Sequence, residues 1–188
     1  MKSSMRFLVG LLVVLLFVAS MCVFTIQEGQ RGIKLRLGEI VTDSKSKQAK
    51  IFNPGLHFKL PFINTINVYD VRLQTLNVES SRILTENQKY VLVDYYAKWK
   101  IADLPLYYTR TGGQAYRAQA LLQQKINNAL RAAFGKRTIS EVVSGERLNV
   151  MNLLKDEANK SAVGLGLSVI DVRIKRIDLP KEVSESVY

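Results

Sequence analysis

From Phe7 to Ile26 the chain runs for twenty residues without a charge, and beyond Gly32 apolar and polar positions alternate in short blocks. Twenty helical residues at about 1.5 Å each span roughly the 30 Å hydrocarbon core of a bilayer. The first block is therefore read as a transmembrane helix over 7–26 behind a tail over 1–6. Fourteen of the twenty are Leu, Ile, Val or Phe, together worth roughly 4 to 8 kcal/mol toward insertion. A cleaved leader competes with this reading, because Lys2 and Arg6 make a basic start and Val18-Ala19-Ser20 has the small-residue character of a processing site. The apolar run continues past that point through Val23, Phe24 and Ile26, which favours a retained anchor. Met21 stands where a lipoprotein signal needs a small residue, so Cys22 is read as a passive membrane cysteine.

The blocks that follow have the two-residue period of strands. Ile33, Leu35 and Leu37 alternate with Lys34 and Arg36. A polar loop, Thr42 to Lys50, then leads to an Asn53-Pro54-Gly55 turn. Leu56, Phe58, Leu60 and Phe62 form the next apolar face, with His57 and Lys59 on the other, so His57 is read as a surface residue. Ile66 to Val78 reads as one long strand whose phase changes near Tyr69-Asp70, which a bulge would explain. Val91, Val93, Tyr95, Ala97, Trp99 and Ile101 alternate cleanly over a further strand.

At Gln114 the period becomes helical. Ala118, Leu121, Leu122, Ile126, Ala129, Leu130, Ala133 and Phe134 recur at helical spacing along an amphipathic helix from Gln114 to Phe134, with Gly135 as its C-cap. Thr138 and Glu141 have capping-box spacing for a short helical turn. A second long helix, Glu146 to Val163, carries Leu148, Met151, Leu154 and Ala158 inward. Ile170, Val172 and Ile174 then form a last strand ending near Leu179-Pro180, and Val183 and Val187 begin another helical pattern that nothing terminates. Strands, then helices, then a strand predict an α+β domain with a mostly antiparallel sheet over 27–180, followed at 181–188 by the start of a truncated helix.

One cysteine and one histidine, Cys22 and His57, exclude a disulfide framework and a Cys/His zinc site. Phosphate-cradling glycine loops, G-x-S-x-G elbows and H-E-x-x-H motifs are absent from the sequence, which leaves only a Ser-Lys pair as a route to nucleophilic catalysis. No catalytic, cofactor or metal residue is assigned. A net charge of +11 favours an anionic partner, and the densest basic stretch, Lys98 to Arg137, sets eight Lys or Arg against the single acid Asp103. Those charges are spread over a strand, a loop and a helix face. A solvated surface meeting lipid headgroups or an acidic neighbour fits them better than nucleic acid.

Specific residues carry a family likeness. Glu28-Gly29-Gln30-Arg31-Gly32, Leu35-Arg36-Leu37-Gly38, Pro54-Gly55-Leu56-His57-Phe58 with Pro61-Phe62, and Asp70-Val71-Arg72 resemble the opening of the SPFH, or band 7, superfamily of stomatins, prohibitins, flotillins and HflK/HflC proteins. Asp94 to Lys100, Tyr107-Tyr108, Thr111-Gly112-Gly113, Val172 to Lys175, Leu179-Pro180 and Val183-Ser184-Glu185 are similar to its HflK/HflC branch.

The resemblance implies a bacterial inner-membrane protein, single-pass, with a cytoplasmic N-terminus and a periplasmic SPFH domain, an orientation that the flanking charges do not supply. It implies a non-catalytic scaffold in a hetero-oligomer with an HflK-like subunit, regulating the membrane-bound ATP-dependent protease FtsH, with a coiled-coil helix continuing past Lys181. No cofactor is implied. A membrane-anchored peptidase and a lipid or ligand sensor are the alternatives. Phe52, Leu60, Phe62 and Ile63 are expected to dip into the bilayer interface, with Lys34 and Lys59 meeting anionic headgroups.

Overall fold

Val23, Phe24, Thr25 and Ile26, the last residues of the run read as a membrane helix, form a strand instead. Their β-branched and aromatic side chains suit a pleated surface, and a partner strand lies within reach. In the computed structural model, which describes residues 10, 12, 23–42, 49–59, 64–85, 90–135 and 147–178, strand β1 (Val23–Ile26) pairs antiparallel with β5 (Gly55–Phe58), Val23 opposite Phe58 and Ile26 opposite Gly55. The rest of the apolar run lies almost wholly outside the described residues, as do the expected turn of helix near Thr138 and the helix beyond Pro180. Among the described residues no helix is long and apolar enough to cross a membrane.

The chain divides into two compact units between Val71 and Arg72. In the first, the Gln30 N–H donates to the Gln27 carbonyl at 3.1 Å, closing a turn that reverses β1 into β2 (Gln30–Arg36). Strand β2 pairs antiparallel with β3 (Glu39–Ile40), β4 (Ile51–Phe52) and β6 (Thr65–Asp70). Ile26, Ile33 and Leu35 are buried at its centre. Gly32 makes the approach possible, since a Cβ there would sit 2.8 Å from Ile26 Cδ1. Leu37 does not continue the buried face of Ile33 and Leu35. The strand ends at Arg36, and Leu37-Gly38 forms a two-residue hairpin turn with both residues at positive φ, which leaves Leu37 99% exposed.

The phase change near Tyr69-Asp70 marks no bulge. It is the end of β6, and β7 (Gln74–Leu84) starts in the second unit. The bulge lies further on, between Val78 and Ser81, with Ser80 at positive φ and its N–H donating to Asp94 Oδ1 at 2.7 Å. In the order β7-β8-β9, the central strand β8 (Tyr90–Ile101) is antiparallel to both β7 and β9 (Leu167–Asp178). The alternation read for β8 holds throughout: Val91, Val93, Tyr95, Ala97, Trp99 and Ile101 are all buried. On β9, Ile170 is outside and Val169 inside, because a register shift opposite Lys98 and Trp99 moves the phase by one residue before Val172 and Ile174 return to the core.

Among the described residues, three helices pack on this sheet or on one another in the second unit. Helix α1 (Leu104–Thr111) was not expected, although its signals are in the chain. Asp103 caps its start, accepting from the Leu106 N–H at 2.9 Å, Pro105 occupies its first turn, and Gly112 ends it in the left-handed region. Helices α2 (Ala115–Phe134) and α3 (Arg147–Val163) match their expected spans to within a residue, but Gly135 closes α2 with right-handed geometry. Both long helices pack together, α2 against β7 and α3 against β9. The apolar stripes of Leu122, Ile126 and Leu130 on α2 and Val150, Leu154 and Ala158 on α3 are buried.

Candidate membrane-facing surface

The β1–β5 ribbon has two faces of opposite character, set by the alternation of its residues. Inward, the Phe24 ring meets the Phe52 ring edge to face, centroids 5.6 Å apart at 85°, and His57 lies against both, 5.0 Å from Phe52. The His57 Nε2–H donates to the Asn53 carbonyl at 2.7 Å. The expected phase of this strand is therefore inverted. His57 is half-buried, while Leu56 and Phe58 point outward, 62% and 72% exposed. The inner position opposite Phe24 lies between two aromatic rings and beside a free carbonyl, and an imidazole satisfies both where a leucine would satisfy only the rings.

Outward, Val23, Leu56 and Phe58 make one exposed apolar surface, with Thr25 beside them. Chain continuity places it next to the apolar run, since Val23 follows Cys22 directly. Of the residues expected to touch lipid, Phe52 turns into the aromatic cluster, with the Lys50 ammonium 5.8 Å from its ring centroid. Lys34 and Lys59 are half-buried, Lys34 on β2 and Lys59 immediately after Phe58. Leu60, Phe62 and Ile63 lie outside the described residues. Val23, Leu56 and Phe58 were missed because a single alternating strand has two possible phases, and only its cross-strand partners choose between them.

The second unit presents an open sheet face opposite its helices, crossed by charge pairs. Arg176 bridges Asp94 at 3.2 Å and Asp178 at 2.8 Å, and Arg173 holds Asp171 at 2.9 Å. That last contact raises the Arg173 guanidinium above its ordinary value. On the same face Lys98 Nζ donates to the Thr75 hydroxyl at 2.6 Å. The contact runs from ammonium to oxygen on a solvent-bathed strand, which does not activate the hydroxyl as a nucleophile. Among the described residues no cluster of three His, Cys, Asp or Glu is arranged to hold a metal ion.

Comparison with known proteins adds the family. The model of the SPFH domain / Band 7 family matches residues 24–187. The chain is 43% identical over 187 residues to Protein HflC of Haemophilus influenzae, covering 97% of this chain and 63% of that protein. It is 33% identical over 220 residues to the Modulator of FtsH protease HflC of Escherichia coli strain K12, covering 96% of this chain and 66% of that protein. Protein HflC of Vibrio cholerae is 35% identical over 214 residues. The chain thus spans somewhat less than two thirds of the length of these relatives.

Proposed function

Because the chain belongs to the SPFH domain / Band 7 family, we propose that it is a non-catalytic, membrane-associated modulator of an FtsH-type protease, acting in a hetero-oligomer with an HflK-like subunit. The observation that carries this reading is the likeness, over 96% of the chain, to a protein named for modulating that protease. The part of the apolar run that precedes β1, residues 7–22, anchors the chain in the bacterial inner membrane, N-terminus in the cytoplasm and SPFH domain outside it, and the coiled-coil helix implied by the family continues past Lys181.

The outer face of the β1–β5 ribbon lies in the bilayer interface. Support comes from Val23, Leu56 and Phe58, exposed together where the chain leaves the apolar run, and from Lys34 and Lys59 nearby in sequence to meet anionic headgroups, each cation worth about 1 kcal/mol close to such a surface. Leu60, Phe62 and Ile63 extend the same contact. Strand β2, which follows the Gln27–Gln30 turn, ends in the exposed Leu37 tip, which offers a further apolar side chain to the same interface.

The full-length protein, extracted in mild detergent, tests the reading. Recovery of an FtsH-type protease and an HflK-like subunit with it is the expected result. Isolation of a lone protein that labels with a serine or threonine active-site probe and cleaves substrate unaided would overturn it.

A further inference from the structure

Helix α2 buries Ala118, Leu122, Ile126, Ala129 and Leu130 and turns a polar, cationic side the other way. On that side Ala120, Gln123, Gln124, Asn127, Asn128 and Arg131 line an open groove of about 360 Å³. Its floor is tied to the sheet at one point. The Ser81 hydroxyl and the Tyr95 phenol both donate to Asn127 Oδ1, each at 2.9 Å. With its oxygen engaged twice, the Asn127 side chain keeps only its two Nδ2 protons to offer. Arg131 is exposed at the end of the groove and has no carboxylate partner among the described residues.

Among the described residues, Arg131 is the one charged residue that lines the groove, and the helices α1 and α2 carry charge of one sign. Residues 104–135 carry Arg110, Arg117, Lys125 and Arg131 and not one Asp or Glu. Donors from Asn127 and Arg131 suit a carboxylate. The amides of Gln123, Gln124 and Asn128 can each donate and accept, as a peptide backbone requires of its partner. A volume at the low end of the range for ligand sites, roughly 300 to 1,000 Å³, admits a short stretch of chain. A nucleic-acid backbone calls for several cations in step with its phosphates, whereas this groove sets one guanidinium among four amides.

We propose that the α2 groove docks an acidic, extended polypeptide segment of a partner protein, its carboxylate held by Arg131 and Asn127 and its backbone by the surrounding amides. The proposal does not depend on protease modulation and goes beyond it.

The probe is a fluorescein-labelled hexaglutamate peptide, titrated by anisotropy against the full chain in a neutral detergent at about 0.15 M salt, where bulk attraction is screened beyond about 8 Å. Hexaglutamate binds and hexaglutamine does not. Arg131→Glu weakens binding at least about tenfold, as loss of a charge-assisted contact requires. Asn127→Ala leaves the net charge unchanged and weakens it about threefold or more, with a circular-dichroism melt confirming that the variant is folded. Lys160→Glu, the same charge change on an exposed α3 residue, shifts it less than about twofold, since surface charges at a distance are screened. Equal losses from Arg131→Glu and Lys160→Glu would reduce the effect to net charge and overturn the proposal. So would a folded Asn127→Ala that binds as well as the parent, or binding of anionic phosphatidylglycerol vesicles in place of hexaglutamate.

Discussion

Three side chains carry more than their residue type implies. Leu37 sits at φ 51, where a branched side chain crowds its own backbone, and it is 99% exposed, so burial returns nothing within the chain. Leu37→Asn, a residue that tolerates the left-handed region, should raise stability by up to about 1 kcal/mol, seen as a higher urea midpoint, and should weaken association with anionic vesicles if that tip meets lipid. His57 shows how an aromatic pair can recruit a polar ring inward when a carbonyl waits beside it. Tyr95 is fully buried with its phenol bonded to Asn127, and burial holds that phenol above its ordinary value. The native state then keeps the proton more tightly than the unfolded chain does. Its contribution to stability is complete below the ordinary phenol value of about 10 and is lost as pH rises from there toward the folded value, at about 1.4 kcal/mol per unit. Melts of the parent and Tyr95→Phe between pH 8 and 11 (roughly the window set by that value) should stay a constant gap apart below pH 10 and converge above it.

At the scale of elements, what could be read from the sequence depended on how many neighbours an element needs to define it. Strand β8 was legible residue by residue because both of its faces differ in polarity along its whole length, and it is paired on both sides. The two long helices were legible because apolar positions repeat at one period, seven of them buried in α2 and Val150, Met151, Leu154, Ala158 and Ala162 buried in α3. Helix α1, only eight residues long, offers too few turns for a period and announces itself only through its ends, Asp103 with Pro105 and then Gly112. The phases of β5 and of the start of β9 were read wrongly because each is decided by a partner, the aromatic cluster in one case and a register shift in the other. For the candidate surface, the neighbourhood of the apolar run was legible, but which apolar residues face out was not. Asp103→Ala should cost about 1 kcal/mol by orphaning the Leu106 N–H, measurable by thermal melt. Gly166 is a sharper test. It stands at φ 73 with its carbonyl accepting from the N–H groups of Ala102 and Asp103, and a Cβ there would collide with the backbone of Asp103 and Tyr107. Gly166→Ala should cost more than about 4 kcal/mol and leave little folded protein by circular dichroism.

At the scale of the whole molecule, the division at Val71–Arg72 assigns the two readings of function to different units. The ribbon proposed to meet lipid belongs to the first, and the groove on α2 belongs to the second. The second has its own core, from Leu76 and Trp99 through Leu122, Leu154 and Val172. A chain beginning at Arg72 should therefore fold by itself with one cooperative calorimetric transition, and absence of a transition would show that the core needs residues before it. The chain contains a single tryptophan. Trp99 lies at zero exposure inside that second core, its indole N–H meeting no partner among the described residues. Its emission is consequently expected at short wavelength, and the first unit holds no tryptophan: tryptophan fluorescence follows one half of this protein and is blind to the other. An indole placed at Phe58, in a Trp99→Phe background, would light that other half and report by its colour whether the ribbon sits in water or in lipid.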